Sequence, residues 1–390
     1  MNGSGKPHVL GIDAANIRAG GGLTHLIEVL RVARPGAHGF SRVVIWATPS
    51  TLRAIEDREW LVKRDSPALR GGTLRRTLWQ AFQLSRAARA EGCDVLLIPG
   101  GSFVGSFRPF VAICQNLLPF ESGEARRYGW STMRLKLAVL KFVQSSTFRR
   151  ADGLVTLSNY SRRLLIGSVQ PGTTLETVIP HGVHDRFMRA RRPQRPLGSY
   201  TNERPYRFLY VSIVDEYKHQ WNVALAVAEL RAAGLPVAID LVGPAYAPAL
   251  IRLRRVLAKV DPEEKVIRYV GPMPHNEVEN CYAQADALVF ASSCEAFALI
   301  LLEAMASALP IACSQRSSMP EVVGDAGVYF DPERPESIHS ALLEMLNVPA
   351  DREQMSRRAV ERARLMSWEQ TADATFAFCA EVVSAVSPTQ

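Results

Sequence analysis

No apolar run in this 390-residue chain reaches the roughly 18 residues that a membrane-spanning helix needs, which excludes a spanning helix from the pattern. The first residues, MNGSGKPHVLGID, pass straight into a strand pattern with no apolar h-region, and this predicts no secretory leader. Cysteine is sparse. Cys93, Cys114, Cys281, Cys294, Cys313 and Cys379 stand singly, with neither CxxC nor any other metal-ligand spacing. A disulfide framework is therefore not expected, and buried reduced thiols in a cytosolic protein are. There is no GxGxxG fingerprint and no Walker motif, so hydride transfer on a dinucleotide is the least supported chemistry. Zinc-finger, RNP and helix-turn-helix patterns are also missing, and nucleic acid is not an expected partner.

What is present is an ordinary globular balance, 47% hydrophobic and 22% charged, in a chain long enough for two cores. Short apolar runs alternate with helical patterns in both halves, as βαβ units do, so the expected class is α/β. The pattern divides the chain into an N-terminal domain over 1–188, an Arg- and Pro-rich linker over 189–205, and a C-terminal domain over 206–366. A last helix over 367–390 follows. The charge is uneven. Residues 1–200 hold 29 basic and 13 acidic residues, whereas 201–390 hold 17 and 25. A basic N-terminal half fits an anionic membrane surface or a phosphorylated lipid acceptor. Residues 126–150 interleave Trp130, Leu137 and Phe142 with Arg134, Lys136 and Lys141, which reads either as an interfacial helix or as a core-packed helix with a basic solvent face.

The stretch 287–323 carries the densest information. An apolar strand (287–291) meets a polar turn, Ser292-Ser293-Cys294-Glu295, and a helix begins near Leu299. Pro310 closes the helix, and 311–313 form the next strand. Glu295 thus stands at the carboxyl end of a strand, where open α/β sheets bind ligands, and Glu303 stands on the following helix. The backbone amides of Ala296, Phe297, Ala298 and Leu299 lie at a helix start suited to a phosphate. Taken singly, Glu295 is equally read as an acid that complements the helix dipole, and Glu303 as a solvated helix residue.

Other segments add weaker signals. A strand at 8–12 leads into Gly20-Gly21-Gly22 and a helix from Leu23, a loop able to approach phosphate or sugar closely, or simply a flexible turn. His25 follows on that helix. Gln115 and Asn116 follow the strand at 110–114; neither can act as a general acid or base at pH 7, but both can hydrogen-bond sugar hydroxyls. Lys218 follows the strand at 207–211 and on its own is a loop lysine.

Glu295, Glu303 with Ala304-Met305-Ala306, Pro310 and Pro320-Glu321-Val322 together resemble the signature of family 4 retaining glycosyltransferases of the GT-B fold. The run LLPFE…RY…FRRADGLVTLS at 117–158 resembles bacterial surface-polysaccharide members. The resemblance implies two Rossmann-like domains facing an interdomain cleft. It implies transfer of a sugar from a nucleotide sugar, GDP-mannose or another NDP-hexose, to a lipid-linked or glycan acceptor. It further implies that Glu295 and Lys218 are catalytic, and that Glu303, the 296–299 segment, Gly21 and Gly22 bind the donor. His25, Gln115 and Asn116 would bind acceptor or sugar. No DxD motif stands where such enzymes would use one, so no metal and no cofactor is expected. The family usually has Gly where Ala296, Ala298 and Ala308 stand here, and an Arg near Ile213; Arg316 is a candidate substitute for that cation. The implied location is cytoplasmic, peripheral on the inner face of the membrane. Two rivals share the fold: a non-catalytic nucleotide- or glycan-binding protein, and a nucleotide-sugar epimerase.

Overall fold

The structure, a computed structural model, describes residues 7–173, 175–274 and 277–386; residues 1–6, where the segment read for a leader begins, lie outside them. The chain forms two compact units. The first comprises Met1–Phe120, Trp130–Gly182 and Trp368–Gln390, and the second Glu121–Gly129 and Val183–Ser367.

In the first unit the strands are β1 (His8–Ala14), β2 (Phe40–Ala47), β3 (Leu61–Arg64), β4 (Val95–Ile98), β5 (Phe110–Cys114), β6 (Gly153–Thr156) and β7 (Glu176–Val178). They form one parallel sheet in the order β3-β2-β1-β4-β5-β6-β7. β4 and β5 are buried along their whole length because helices cover both faces of the sheet. The helix Gly21–Val32 joins β1 to β2, in the direction of the β3 edge. The helical segments between β3 and β4, and the helix Thr132–Arg150 between β5 and β6, run the other way. Right-handed crossovers therefore put the two sets on opposite faces. The last helix, Trp368–Val386, shares the face of Gly21–Val32 and packs closely: a Cβ at Gly153 would lie 2.6 Å from Val382 and 2.9 Å from Phe378.

The pattern at 73–92 predicts one helix, and the chain instead inserts a π-turn, Gln80–Leu84, between Thr73–Trp79 and Ser85–Ala90. The widened turn coincides with a demand on Gln80. Its amide nitrogen donates to the buried Asp13 carboxylate and to the Ser102 carbonyl (2.9 Å), while its oxygen accepts from the Val104 amide (3.2 Å).

The second unit holds β8 (Tyr206–Val211), β9 (Val237–Val242), β10 (Ile267–Gly271), β11 (Ala287–Phe290), β12 (Ile311–Ser314) and β13 (Gly327–Phe330). They form a parallel sheet in the order β10-β9-β8-β11-β12-β13. β8 and β11 are neighbours whose onward connections leave in opposite directions, which opens a crevice at their carboxyl ends. The Arg- and Pro-rich segment at 189–205 lies along this unit: Arg192 donates to the carbonyls of Ala283 and Ala285, and the Tyr200 hydroxyl donates to Asp286 (3.1 Å). The cysteines are free, with Cys114, Cys294, Cys313 and Cys379 buried.

Gly243, just after β9, permits one close approach. Its φ is +139°, and a Cβ there would lie 2.1 Å from the Ser212 carbonyl oxygen, at the start of the loop that carries Lys218. Gly243→Ala should therefore cost about 2 kcal/mol or more, because the obstacle is backbone and cannot rotate away. Gly234 also has positive φ (+86°) but open space around it, so Gly234→Ala should cost only about 1 kcal/mol of backbone strain. Urea titration of both variants checks this; equal losses would refute the clash.

Candidate active site

In the second unit, Lys218 and Glu295 come from the loops after β8 and β11, the two strands of the switch point. The Lys218 ammonium donates to Glu295 Oε1 in a close ion pair, and the two side chains are only 7% and 18% exposed. An ion pair this dry requires support, and several groups supply it. The ammonium lies 4.8 Å from the Tyr217 ring centre and 5.0 Å from that of Phe290, both cation–π distances. The Tyr210 hydroxyl donates to the Lys218 carbonyl and accepts from the Ala291 amide (3.2 Å), so it joins the two loops. The Ser317 hydroxyl accepts from the Glu295 amide (2.9 Å) and lies 2.8 Å from the Glu295 carbonyl. Ser317 itself has φ 58°, a left-handed backbone that tight turns use.

Beside the pair lies a polar chain. His219 Nε2 lies 3.0 Å from the Ser293 hydroxyl, which is 2.7 Å from Glu124 Oε2. Burial lowers the His219 pKa to about 4, so the ring is neutral at pH 7. Arg127 donates to Glu124 (2.6 Å) and pairs with Glu333 (2.8 Å). Hydrogen bonding from Arg127 holds Glu333 down to about 2. The Tyr128 hydroxyl donates to Asp215 Oδ1 (2.8 Å). Glu124, Arg127 and Tyr128 thus join the second unit from the detached segment Glu121–Gly129. Arg316 pairs with Asp331 (2.9 Å) and with Glu333, so its charge is already matched by two carboxylates.

Glu303 lies on the helix Leu299–Ala306 and is 3% exposed, which removes the reading of a solvated helix residue. The Tyr282 hydroxyl donates to its Oε2 (2.9 Å). Burial raises its pKa to about 7, against the hydrogen bond from Tyr282 and the charge of Arg186. Ala296, Phe297 and Ala298 are buried, and Ala298 enters the helix at φ 61°. Ala308, just beyond the helix, has φ 58°. Two of the three alanines at positions where the resembled family has glycine therefore hold the conformation that glycine favours. Ile213 is exposed on the loop after β8.

In the first unit, Gly21 and Gly22 form the first turn of the helix Gly21–Val32, after Gly20 at φ 70°. Gln115 reaches this loop: a Cβ at Gly22 would be 3.5 Å from its Oε1. The Gln115 Nε2 is buried without a hydrogen-bond partner among the described residues. Asn116 is exposed, and its Oδ1 accepts from the Leu118 amide (3.0 Å). His25 is buried, its Nδ1 3.1 Å from that of His181, with the Trp368 ring 5.9 Å away. Burial lowers the His25 pKa to about 4, and burial with the neighbouring His25 lowers that of His181 well below its ordinary value, so both rings are neutral and one Nδ1 donates to the other. Asp13, at the end of β1, is raised by burial to about 6.

Sequence reasoning missed Ser317, Tyr282, His219 and the Glu124 chain. Each acts through a partner distant in sequence, and none stands in a motif of its own.

Residues 198–362, which include Lys218, Glu295 and Glu303, match the family described as Glycosyl transferases group 1. The O-antigen chain mannosyltransferase B of Escherichia coli is 40% identical over 26% of this chain and 27% of its own length. The D-inositol 3-phosphate glycosyltransferase of Corynebacterium glutamicum is 30% identical over 53% of this chain and 49% of its own, so the chain spans about half or less of these curated relatives. Among solved structures, sucrose-phosphate synthase from Thermosynechococcus elongatus aligns over 97% of this chain and 100% of its own, with a TM-score of 0.76 at 17% identity. Anabaena HepE in complex with UDP and glucose aligns over the same shares with a TM-score of 0.70 at 16% identity. The fold is GT-B, with two parallel-sheet Rossmann-like domains.

The raised pKa of Glu303 has a stability consequence. The folded state holds this proton up to about pH 7, whereas the unfolded chain releases it near 4.5. Below the lower value Glu303 costs nothing; as pH rises through the window the folded state loses stability, by roughly 3 kcal/mol in all. Glu303→Gln should remove that loss, so the variant gains on the native protein between pH 5 and pH 8. Urea midpoints at the two pH values check it, and a stability gap that does not change with pH would contradict it.

Proposed function

We propose that this chain is a retaining glycosyltransferase. It moves a sugar from a nucleotide sugar, GDP-mannose or another NDP-hexose, to a lipid-linked or glycan acceptor in bacterial surface-polysaccharide synthesis. The observation that carries this reading is the buried Lys218–Glu295 pair at the switch point, with Glu303 on the next helix. In the reaction the anomeric carbon–oxygen bond breaks and the nucleoside diphosphate leaves with the electron pair. The acceptor hydroxyl oxygen bonds to the same carbon, and its proton passes to an oxygen of the departing diphosphate. Lys218 exchanges its carboxylate for the diphosphate and stabilises the charge that develops there. Glu295, released from the lysine, takes the sugar hydroxyls. Glu303 accepts from the ribose hydroxyls, and the 296–299 segment and the Gly21-Gly22 turn contribute to donor binding. His25, Gln115 and Asn116 serve the acceptor or the sugar by hydrogen bonding, since the two neutral amides and a neutral histidine carry no charge to it. No metal takes part. Support comes from the family match over the site, the mannosyltransferase relative and the UDP-bound neighbour.

A second reading is nucleotide binding without turnover. It is favoured by Ile213 standing where the resembled family has an arginine and by Arg316 being held by Asp331 and Glu333. Purified protein given GDP-, UDP- and dTDP-sugars with lipid-linked acceptors separates the readings. Transfer insensitive to EDTA is expected, falling about 100-fold or more in Lys218→Ala and in Glu295→Ala. Binding without product would select the second reading, and a changed sugar released without acceptor would mark an epimerase. Transfer unaffected by either substitution would defeat the assignment of the site.

A further inference from the structure

One face of the first unit carries apolar side chains that its own fold leaves uncovered. Leu74, Leu78 and Phe82 are 74%, 49% and 72% exposed and recur every four residues along the segment Thr73–Trp79 and its π-turn. Leu135, Val139 and Phe142 repeat the arrangement on the helix Thr132–Arg150, at 67%, 56% and 76%, and Trp130 beside its start is fully exposed. These seven are half of the fourteen large apolar side chains that the described residues leave exposed, so the clustering is not an ordinary scatter of surface leucines. Both segments cover the same face of the sheet, because both crossovers run toward β7. They also grip one loop from two sides. Gln80 bonds Ser102 and Val104, while Thr147 accepts from the Phe103 amide (2.8 Å).

The charge on this face has one sign. Residues 73–90 and 132–150 contain nine Lys and Arg and no Asp or Glu. Arg75, Arg86, Arg89 and Lys136 are exposed, and Arg134 and Lys141 are half-buried. None of the six enters an ion pair with a carboxylate among the described residues. Arg134 lies over the Trp130 ring at 5.5 Å, which holds a cation and an aromatic together at the surface.

We propose that this two-helix face docks on an anionic lipid bilayer, with the aliphatic and aromatic stripes in the acyl boundary and the cations among the headgroups. A second copy of the chain through the same face would oppose cation to cation, and a polyanion such as RNA has no use for Leu74, Leu78, Leu135 and Val139. No helix among the described residues is long and apolar enough to cross a membrane, so the attachment is peripheral.

Flotation of the full chain with vesicles of equal phosphatidylglycerol and phosphatidylcholine, against phosphatidylcholine alone, tests it. The protein should float with the anionic vesicles at least about tenfold more than with the neutral ones, and less in high salt. Phe82→Ser with Phe142→Ser should cut binding about tenfold. Lys136→Glu with Lys141→Glu should cut it on the order of fivefold or more per cation. All four positions face solvent at least in part, so unchanged thermal unfolding of both variants is the expected control. Equal flotation with both vesicles, no flotation with either, or a doubly serine-substituted protein that floats like the native one would overturn the proposal. So would a dimer, measured by light scattering, that dissociates in the serine variant while vesicle binding stays unchanged.

Discussion

The second unit depends on a buried ion pair placed at the one point in its sheet where neighbouring strands send their chains in opposite directions. Burying a lysine and a glutamate together gains little net stability, because desolvation offsets most of the attraction. The sequence around them is accordingly devoted to holding the pair. Tyr217 and Phe290 offer ring faces to the ammonium, Tyr210 ties the two loops, and Ser317 clasps the glutamate backbone. Such an arrangement makes sense for a site that is to exchange one partner of the pair for a ligand anion, since the cation is preorganised and the exchange restores a charge to it.

Both units bury charge as well as neutral polarity. The second holds Lys218 with Glu295 and Arg127 with Glu124 as ion pairs. The first buries Glu28 against Arg31 and Asp152 against Arg108, and it also holds buried groups whose charged form is disfavoured. Two histidines share a hydrogen bond under a tryptophan, and an aspartate at the end of β1 is pushed up by burial toward neutrality. Glu303 is likewise a carboxyl whose environment favours the protonated form and which therefore weakens the fold when it ionises. Retaining it against that cost is consistent with a ligand that uses its oxygens.

Much of this was legible in the sequence, for definite reasons. Runs such as VLLI and FVAIC are apolar at every position because both faces of a parallel sheet are covered, and they fall on β4 and β5. The strand, turn and helix that carry Glu295 and Glu303 were legible within a single stretch, but the resemblance, not that pattern, singled out the two acids. Lys218 needed a second stretch 77 residues away, and the resemblance rather than its surroundings singled it out. The helix Ala247–Val260 buries Ala249, Leu253 and Leu257 at every fourth position, a spacing readable by periodicity. The π-turn at Gln80 was not readable, since it answers to Asp13 and Ser102 far along the chain. Nor were the left-handed alanines 298 and 308: alanine carries no signature of positive φ, and only the surrounding backbone imposes it. The attachment of Glu121–Gly129 to the second unit rests on tertiary contacts of Glu124, Arg127 and Tyr128 that no local pattern announces.

A crystal structure with a nucleoside diphosphate bound tests the central claim most directly. The account predicts the Lys218 ammonium turned from Glu295 onto a phosphate oxygen, with the ribose hydroxyls on Glu303. A nucleotide bound elsewhere, with the Lys218–Glu295 pair undisturbed, would contradict it.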